Sequence, residues 1–513
     1  MKRTLLMALC ALSFGGAALA EDEVSAGDYQ ADGNEADYGK HFDAANTPAN
    51  DRLARPAPDW FTKGVIYQIQ PRSFTEEGTI RAAMAKLPLV AESGANIVYL
   101  CPLTVMDDDQ DPRYVLPLRN KDIELRVRAY SKCFYRVKDY YHVDPEFGTE
   151  EDVRAFVAEA HRLGLKVFFD VVFSHCGPKA VFIEEHPDWV RRDAQGGIVC
   201  NRWHMPQINF DNPELREYLT GSLLHWVKEF DVDGYRCDVA EEQPLSFWET
   251  ARDRLDAVKP GVVLLCEGFG IPAEQVKAFD CCYCWTCKCI LCDAIDGKRT
   301  LAEFLRQVRH KNAIMPRGGR KIWGFDTHDE TDDAQVKGPR YDLPERWGHE
   351  LVEASLAAMF LLDGVPMIYS GNEWADVSFQ QFYRRTPINW DLRETAYGQK
   401  RLRLVRQLAR LRRCDYVFTE GSGPEFIEWL ENDCPEAVLS FMRKARDGRA
   451  AVCVFNLTKS PVAVTVKLGG QGAVADTPYV RERCENGGQG RYALGPGGFD
   501  VREYYAEEFI REN

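Results

Sequence analysis

The sequence predicts an α/β protein, a (β/α)8 TIM barrel with insertions after strands 2 and 3, plus a C-terminal antiparallel β-sandwich. Eight short apolar runs alternate with helical segments between residues 65 and 369, which is the repeat of such a barrel. Several runs, such as the one at 167–173, lack polar alternation, as strands buried on both faces do. Beyond residue 415 the runs shorten and are separated by Gly, Pro and charged turns. On periodicity alone, a doubly wound open sheet is the alternative.

The predicted barrel strands are the eight apolar runs themselves: Val65–Gln70, Asn96–Leu100, Lys166–Phe173, Asp233–Val239, Val262–Glu267, Ala278–Cys282, Lys321–Phe325 and Val365–Tyr369. Before the third run, Thr149 and the acidic residues after it indicate a helix start, and Gly164 indicates its end. The connections 103–148 and 176–212 are long, and both leave the carboxyl ends of strands. We therefore expect them to form walls of a cleft.

Further changes of pattern predict the domain boundaries. Residues 1–20 combine a basic start, an apolar stretch and a small-x-small site at Ala18–Ala20, which is typical of a cleaved secretory signal; an amphipathic N-terminus is the alternative. Residues 21–58 are predicted to be a linker or surface arm, 59–415 the barrel with a small insertion domain at about 176–212, and 416–513 the C-terminal β-sandwich domain. We therefore expect an exported protein, periplasmic or extracellular.

Composition argues against several classes of protein. The 513 residues carry a net charge of −15 with 28% charged residues, which is ordinary for a globular chain. An acidic protein repels phosphate backbones, so no nucleic-acid partner is expected. No apolar run reaches 18 residues, so we expect no transmembrane segment.

Carboxylates end several of the predicted strands. Asp238 ends the fourth run with Arg236 two residues before it, Glu267 ends the fifth, and Asp329 follows the seventh. The spacings, 29 residues and then 62, correspond to about one and two βα units, so these groups should converge at one barrel mouth. An isolated acidic strand end is more often a cap or an ion-pair partner. A convergent set instead favours glycoside hydrolysis, which needs one carboxylate as nucleophile and another as acid.

Four motifs, in order along the chain, resemble the α-amylase family of retaining glycoside hydrolases: Asp170-Val-Val-Phe-Ser-His175, Gly234-Tyr-Arg-Cys-Asp238, Glu267-Gly and Phe325-Asp-Thr-His-Asp329. The stretch His204-Met-Pro-Gln-Ile-Asn209 is similar to a motif of the cyclomaltodextrinase, neopullulanase and maltogenic amylase branch. The similarity covers roughly residues 60–510. It implies an enzyme that cleaves α-glucosidic bonds of maltooligosaccharides or starch-type α-glucans by retaining double displacement.

The resemblance also implies residue roles. Asp238 would be the nucleophile, Glu267 the general acid and then base, and Asp329 would bind sugar hydroxyls and stabilise the distorted ring. Four more residues would serve the substrate, with Tyr135 as a stacking platform and Arg236 keeping Asp238 ionised: Tyr135, His175, Arg236 and His328. Alternatives are a transglycosylase, a sucrose- or trehalose-converting relative, and a non-catalytic glycan-binding barrel.

No cofactor is expected to be required. Relatives commonly place a calcium-binding Asn where Ser174 stands, and a serine hydroxyl is a poorer ligand for a hard cation. A weak calcium site stays open on this reasoning, but a tight one is not expected.

Six of the seventeen cysteines lie between residues 281 and 292. The pairs Cys284/Cys287 and Cys289/Cys292 resemble zinc half-sites, but the single residue between them would strain one tetrahedral site. Buried thiols are favoured, with disulfides or a metal as alternatives. Strand alternation directs Cys237 and Cys266 away from the cleft.

Overall fold

The computed structural model describes residues 46–114, 133–268, 270–329, 344–378, 384–419, 423–468, 472–488 and 490–506. The predicted signal segment and residues 21–45 of the predicted arm lie outside the described residues. The rest of the arm lies against the barrel: the backbone N–H groups of Ala49 and Ala54 donate to Ile314 and Arg317 carbonyls at 2.8 and 2.9 Å. The Arg55 guanidinium also pairs with Asp280 at 2.6 Å.

The strands up to residue 369 are β1 (Ile66–Ile69), β2 (Ile97–Leu100), β3 (Thr104–Met106), β4 (Val137–Val143), β5 (Lys166–Val172), β6 (Gly234–Asp238), β7 (Val263–Cys266), β8 (Cys281–Tyr283), β9 (Lys321–Trp323) and β10 (Val365–Tyr369). Eight of them close into a parallel barrel in the order β1-β2-β5-β6-β7-β8-β9-β10. Each matches a predicted run, so the barrel is confirmed and the open sheet is excluded. Strands β3 and β4 form a separate antiparallel pair in the connection after β2.

The α-helices are α1 (Asp59–Thr62), α2 (Pro71–Phe74), α3 (Ile80–Glu92), α4 (Glu150–Arg162), α5 (Pro213–Phe230), α6 (Leu245–Val258), α7 (Glu274–Lys277), α8 (Trp285–Ile295), α9 (Leu301–Ile314), α10 (Pro344–Trp347), α11 (His349–Leu361), α12 (Ala396–Cys414) and α13 (Tyr416–Thr419). The predicted start of α4 is a capping box, in which Thr149 Oγ1 accepts from Asp152 N–H at 3.2 Å and Asp152 accepts from Thr149 N–H at 3.0 Å. Among these described helices, none has the length and apolar character needed to cross a membrane.

Side-chain alternation separates two apolar layers in the barrel. Phe168, Val263 and Leu265 belong to a small core that fills the barrel interior. Their strand neighbours face the helices and join the large core, which includes Cys237 and Cys266. The prediction that these two cysteines point away from the cleft is therefore confirmed, and it follows from the period of two along a strand.

The C-terminal strands are β11 (Ile427–Trp429), β12 (Val438–Lys444), β13 (Ala450–Asn456), β14 (Val462–Thr465), β15 (Gly472–Val474), β16 (Val480–Gly488) and β17 (Arg491–Ala506). The predicted antiparallel architecture is confirmed. Its strands join one hydrogen-bonded sheet because β17, with 16 residues, pairs with β13, β14, β15 and β16. One face shares the barrel's core through Phe455, and Val452, Val464 and Tyr492 on the other face form a core of their own.

Candidate active site

Three strand ends bring the predicted catalytic carboxylates to one mouth of the barrel. Asp238 is the last residue of β6, Glu267 follows β7 directly, and Asp329 follows β9. All strands of a parallel barrel point the same way, so their carboxyl ends share one face. The three side chains are 8%, 14% and 22% exposed, so each is mostly enclosed but still reaches solvent.

The Arg236 guanidinium joins two of these carboxylates. Its Nη1 lies 2.9 Å from Asp238 Oδ1, and its Nη2 lies 2.5 Å from Glu267 Oε2. Burial raises the pKa of Asp238 well above its usual value, and the charge of Arg236 acts against that rise. The predicted contact between Arg236 and Asp238 is present, and the same cation also holds Glu267.

Asp170 is a further carboxylate in this cluster, and the sequence pattern placed it in a motif without giving it a role. Both of its oxygens lie within 3.0 Å of Arg236 Nη1, and the hydroxyls of Tyr99 and Tyr135 donate to Oδ2 at 2.6 and 2.7 Å. Burial raises its pKa to about 6. Asp170 is the register partner of Arg236 across β5 and β6. The sequence signal that could have given Asp170 this role is that it is a charged residue inside an otherwise apolar run.

His328 is held by a directed chain of hydrogen bonds. The Gln68 side-chain N–H donates to His328 Nδ1 at 2.8 Å, so the ring proton sits on Nε2. That nitrogen lies 2.8 Å from the Tyr135 hydroxyl, which in turn donates to Asp170. The Tyr135 and His328 rings stack with centroids 5.2 Å apart. Gln68 therefore sets the tautomer of His328, a contact that sequence reasoning missed.

His175 lies beside the same tyrosine. Its Nε2 donates to the Tyr135 carbonyl at 3.1 Å, and Nδ1 lies 2.7 Å from the Ser174 hydroxyl. Burial lowers the pKa of His175 to about 4, so the ring is neutral at neutral pH. The seven predicted site residues thus lie at one mouth, and the individual roles of Tyr135, His175 and His328 toward a sugar stay predictions.

Val239 has a left-handed backbone directly after Asp238, with φ 44° and ψ 39°. A β-branched residue rarely adopts this conformation, which costs of order 1–3 kcal/mol. The strained turn aims the Val239 N–H at Glu267 Oε2, at 2.9 Å. Arg236 contacts the same oxygen, so both contacts fall on Oε2 of Glu267.

The hydrogen-bond partners of Ser174 and Asp107 support the expectation that no tight calcium site is present. The Ser174 hydroxyl is engaged by His175, and the fully buried Arg136 guanidinium lies 3.9 Å from Asp107 and donates to the Asp109 carbonyl at 3.1 Å. Asp107 also accepts from the Lys179 N–H at 2.6 Å. The Asp107 side chain and the Asp109 carbonyl thus already have protein partners, which argues against their binding a divalent ion.

We therefore expect excess chelator to leave the melting temperature of the purified protein unchanged. A tightly bound ion would contribute about 4 kcal/mol at a thousandfold excess over its Kd, and its removal would lower Tm by several degrees. Calorimetry with and without chelator tests this expectation. A fall that calcium reverses and magnesium does not would contradict it.

Glu274, at the start of α7, is a buried carboxyl outside the mouth. It is 4% exposed, and Oε2 lies 3.3 Å from Cys266 Sγ. Burial raises its pKa from 4.5 to about 7. The folded state therefore binds more protons than the unfolded state between these pH values, and stability falls as pH rises through them.

Glu274→Gln should therefore stabilise the protein at pH 8 by on the order of 3 kcal/mol, because it removes an ionised group from the core. At pH 4.5 the gain should be much smaller, since the native carboxyl is then neutral. Urea unfolding at both pH values measures the difference. Equal gains at the two pH values would show that Glu274 does not titrate as stated.

Several known proteins are similar to this chain in sequence and in fold. The family description "Alpha amylase, catalytic domain" matches residues 39–195, a segment with Tyr135, Asp170 and His175 that ends before the three predicted catalytic carboxylates. Alpha-amylase MalA of Haloarcula japonica is 26% identical over 431 residues, which is 81% of this chain and 58% of that protein. The intracellular maltogenic amylase of Bacillus subtilis is 27% identical over 428 residues, 78% of this chain and 69% of that protein.

The crystal structure of the maltogenic alpha-amylase AmyB from Thermotoga neapolitana superposes with a TM-score of 0.71 and 26% identity. The superposition covers 86% of this chain and 99% of the AmyB chain. The motifs, the barrel, the C-terminal sheet and these similarities agree with one another. The chain is thus similar in sequence and fold to amylases over most of its length, and its residues 39–195 match the α-amylase catalytic domain.

Proposed function

We propose that the protein hydrolyses α-glucosidic bonds of maltooligosaccharides with retention of configuration at the anomeric carbon. The observation that carries this proposal is the Arg236 bridge, which holds Asp238 and Glu267 through the two terminal nitrogens of one guanidinium. Such a bridge keeps two carboxylates close, which supports the short separation of retaining enzymes, about 5 Å, over the longer one of inverting enzymes.

In the first step, Glu267 Oε1–H protonates the glycosidic oxygen while Asp238 attacks the anomeric carbon. Arg236 holds Asp238 Oδ1, so we assign the attack to Oδ2. The bond from carbon to the leaving oxygen breaks, and a bond from carbon to Oδ2 forms. Oε2 of Glu267 accepts from Val239 and Arg236, and this holds the acid in one orientation.

In the second step, Glu267 takes a proton from water as the oxygen of that water attacks the anomeric carbon and releases Asp238. Two displacements on one carbon restore its original configuration. Asp329 lies beside His328 with 3.7 Å between Oδ1 and Nε2, where both can bind sugar hydroxyls. The homologues named amylases support maltooligosaccharides as the substrates.

Proton NMR of maltotriose hydrolysis tests the proposal. The first anomer to appear should be α, with β forming later by mutarotation; a β product at early times would contradict retention. Parallel assays on isomaltose, sucrose and trehalose separate α-1,4 hydrolysis from the conversion of those sugars. Products longer than the starting maltotriose would indicate transglycosylation, and saturable binding without turnover would indicate a glycan-binding barrel.

We also propose that the chain is exported. The support is the basic, apolar and small-residue order of residues 1–20. Expression in a Gram-negative host, followed by fractionation and N-terminal sequencing, tests this proposal. A periplasmic protein that begins at Glu21 is expected. Full-length protein confined to the cytoplasm would contradict export.

A further inference from the structure

We propose that Cys284 and Cys287 are a redox couple that is oxidised to an intramolecular disulfide at the start of α8. Their sulfur atoms lie 2.7 Å apart, and the residues are 4% and 0% exposed. Both belong to the large core between barrel and helices. The proposed activity uses neither sulfur, so this couple is independent of it.

The helix start itself brings the two sulfurs together. Cys284 is the N-cap of α8, and Cys287 is the third residue of its first turn. Side chains at the N-cap and third positions face each other, as they do in a capping box. Cys-x-x-Cys at a helix N-terminus is also the arrangement that favours thiolate and disulfide chemistry. Cys289 and Cys292 have the same spacing, but both lie within the helix.

The surroundings favour a thiolate at Cys284. Its hydrogen bond with Cys287 lowers its pKa to about 7, and the ammonium groups of Lys321 and Lys311 act in the same direction. Both lysines are buried, at 3% and 4% exposure. Disulfide exchange needs a thiolate to attack, and a pKa near the ambient pH gives the best attacking thiol.

The oxidant is a small-molecule disulfide of the glutathione class. The Cys284 thiolate attacks one of its sulfurs, which forms a mixed disulfide and releases one thiolate. The Cys287 thiolate then attacks Cys284 Sγ and releases the second. The two cysteines lose two electrons and two protons, and the oxidant becomes two thiols. Because both sulfurs are buried, this exchange takes place during folding or local opening.

The disulfide would close the turn that carries Trp285. The Trp285 ring stacks on Tyr283 with centroids 4.2 Å apart and an angle of 7° between planes. Tyr283 belongs to the core of the barrel interior, and the charges of Arg236 and Glu267 act on it. Oxidation therefore restrains a side chain that packs on the barrel interior near the catalytic cluster. We expect the oxidised protein to melt a few degrees higher than the reduced one.

Thiol mapping of the full chain tests the proposal. The protein is equilibrated in glutathione buffers from reducing to oxidising, denatured with N-ethylmaleimide and digested with trypsin. Cleavage after Lys288 separates peptide 278–288, with four cysteines, from peptide 289–298, with two. Oxidation should reduce the first peptide from four labels to two, and fragmentation should place the bond between Cys284 and Cys287. The second peptide, an internal control, should keep both labels.

Four labels on peptide 278–288 at every buffer ratio would overturn the proposal, as would a bond through Cys281 or Cys282. In a second experiment, Cys284→Ser/Cys287→Ser should abolish the redox dependence of Tm, and Cys289→Ser/Cys292→Ser should leave it intact. A redox-dependent Tm that persists in the first variant would contradict the assignment. If that variant fails to fold, the peptide map of the native sequence still decides.

Discussion

Asp238→Asn should lower kcat on maltotriose by roughly 10⁴-fold or more, because an amide cannot form the glycosyl-enzyme bond. The fold should survive this change. Asn keeps the size of the side chain and a carbonyl oxygen that can accept from Arg236 Nη1, now 2.9 Å from Asp238 Oδ1. Arg236 also keeps its contacts to Asp170 and Glu267. Steady-state kinetics together with a melting curve separate lost chemistry from lost structure.

Glu274→Gln is the matched control for this experiment. It also converts a buried barrel carboxyl to an amide, but at a position outside the mouth, and should retain native kcat.

In Asp238→Gly, added azide should enter the vacated space, attack the anomeric carbon and give a β-glycosyl azide. Native turnover by Asp238→Asn would end the assignment of Asp238 as nucleophile.

Glu267→Gln should lower the rate on maltotriose by roughly 10³-fold and on an α-glucosyl fluoride far less. The reason is that protonation of the leaving oxygen is worth about 10²–10⁴-fold, and fluoride departs without it. The amide oxygen can still accept from Val239 N–H, which lies 2.9 Å from Oε2 in the native protein. The side chain of residue 267 should therefore keep its hydrogen bond to Val239 in the variant.

The decisive measurement for Glu267 is the fold-loss of rate from the native protein to Glu267→Gln, taken once on maltotriose and once on the fluoride. Asp238→Asn is the control variant, since its rate should fall by the same factor on both substrates. Azide should further accelerate Glu267→Gln on the fluoride, because an anionic nucleophile needs no general base in the second step. An equal loss on the two substrates would show that Glu267 is not the acid.

The barrel strands were predictable because the signal for each is local. A run such as Lys166–Val172 has apolar residues on both faces, and the helix before it carries its own cap at Thr149. The order and spacing of Asp238, Glu267 and Asp329 then placed them at one mouth, since parallel strands share a direction. Strand and helix periodicity depend on near neighbours in the chain, so these features needed no coordinates.

The contacts inside the site depend on which strands become neighbours. Gln68 lies 260 residues before His328, and no local pattern links them before β10 closes the barrel onto β1. The left-handed backbone of Val239 likewise goes against its own residue preference. The sequence by itself therefore determined the barrel fold and the convergence of the three predicted catalytic carboxylates at one mouth. The tertiary structure decided that Asp170 contacts Arg236, Gln68 contacts His328 and Val239 contacts Glu267, because these contacts join residues from different strands that only the closed barrel brings together.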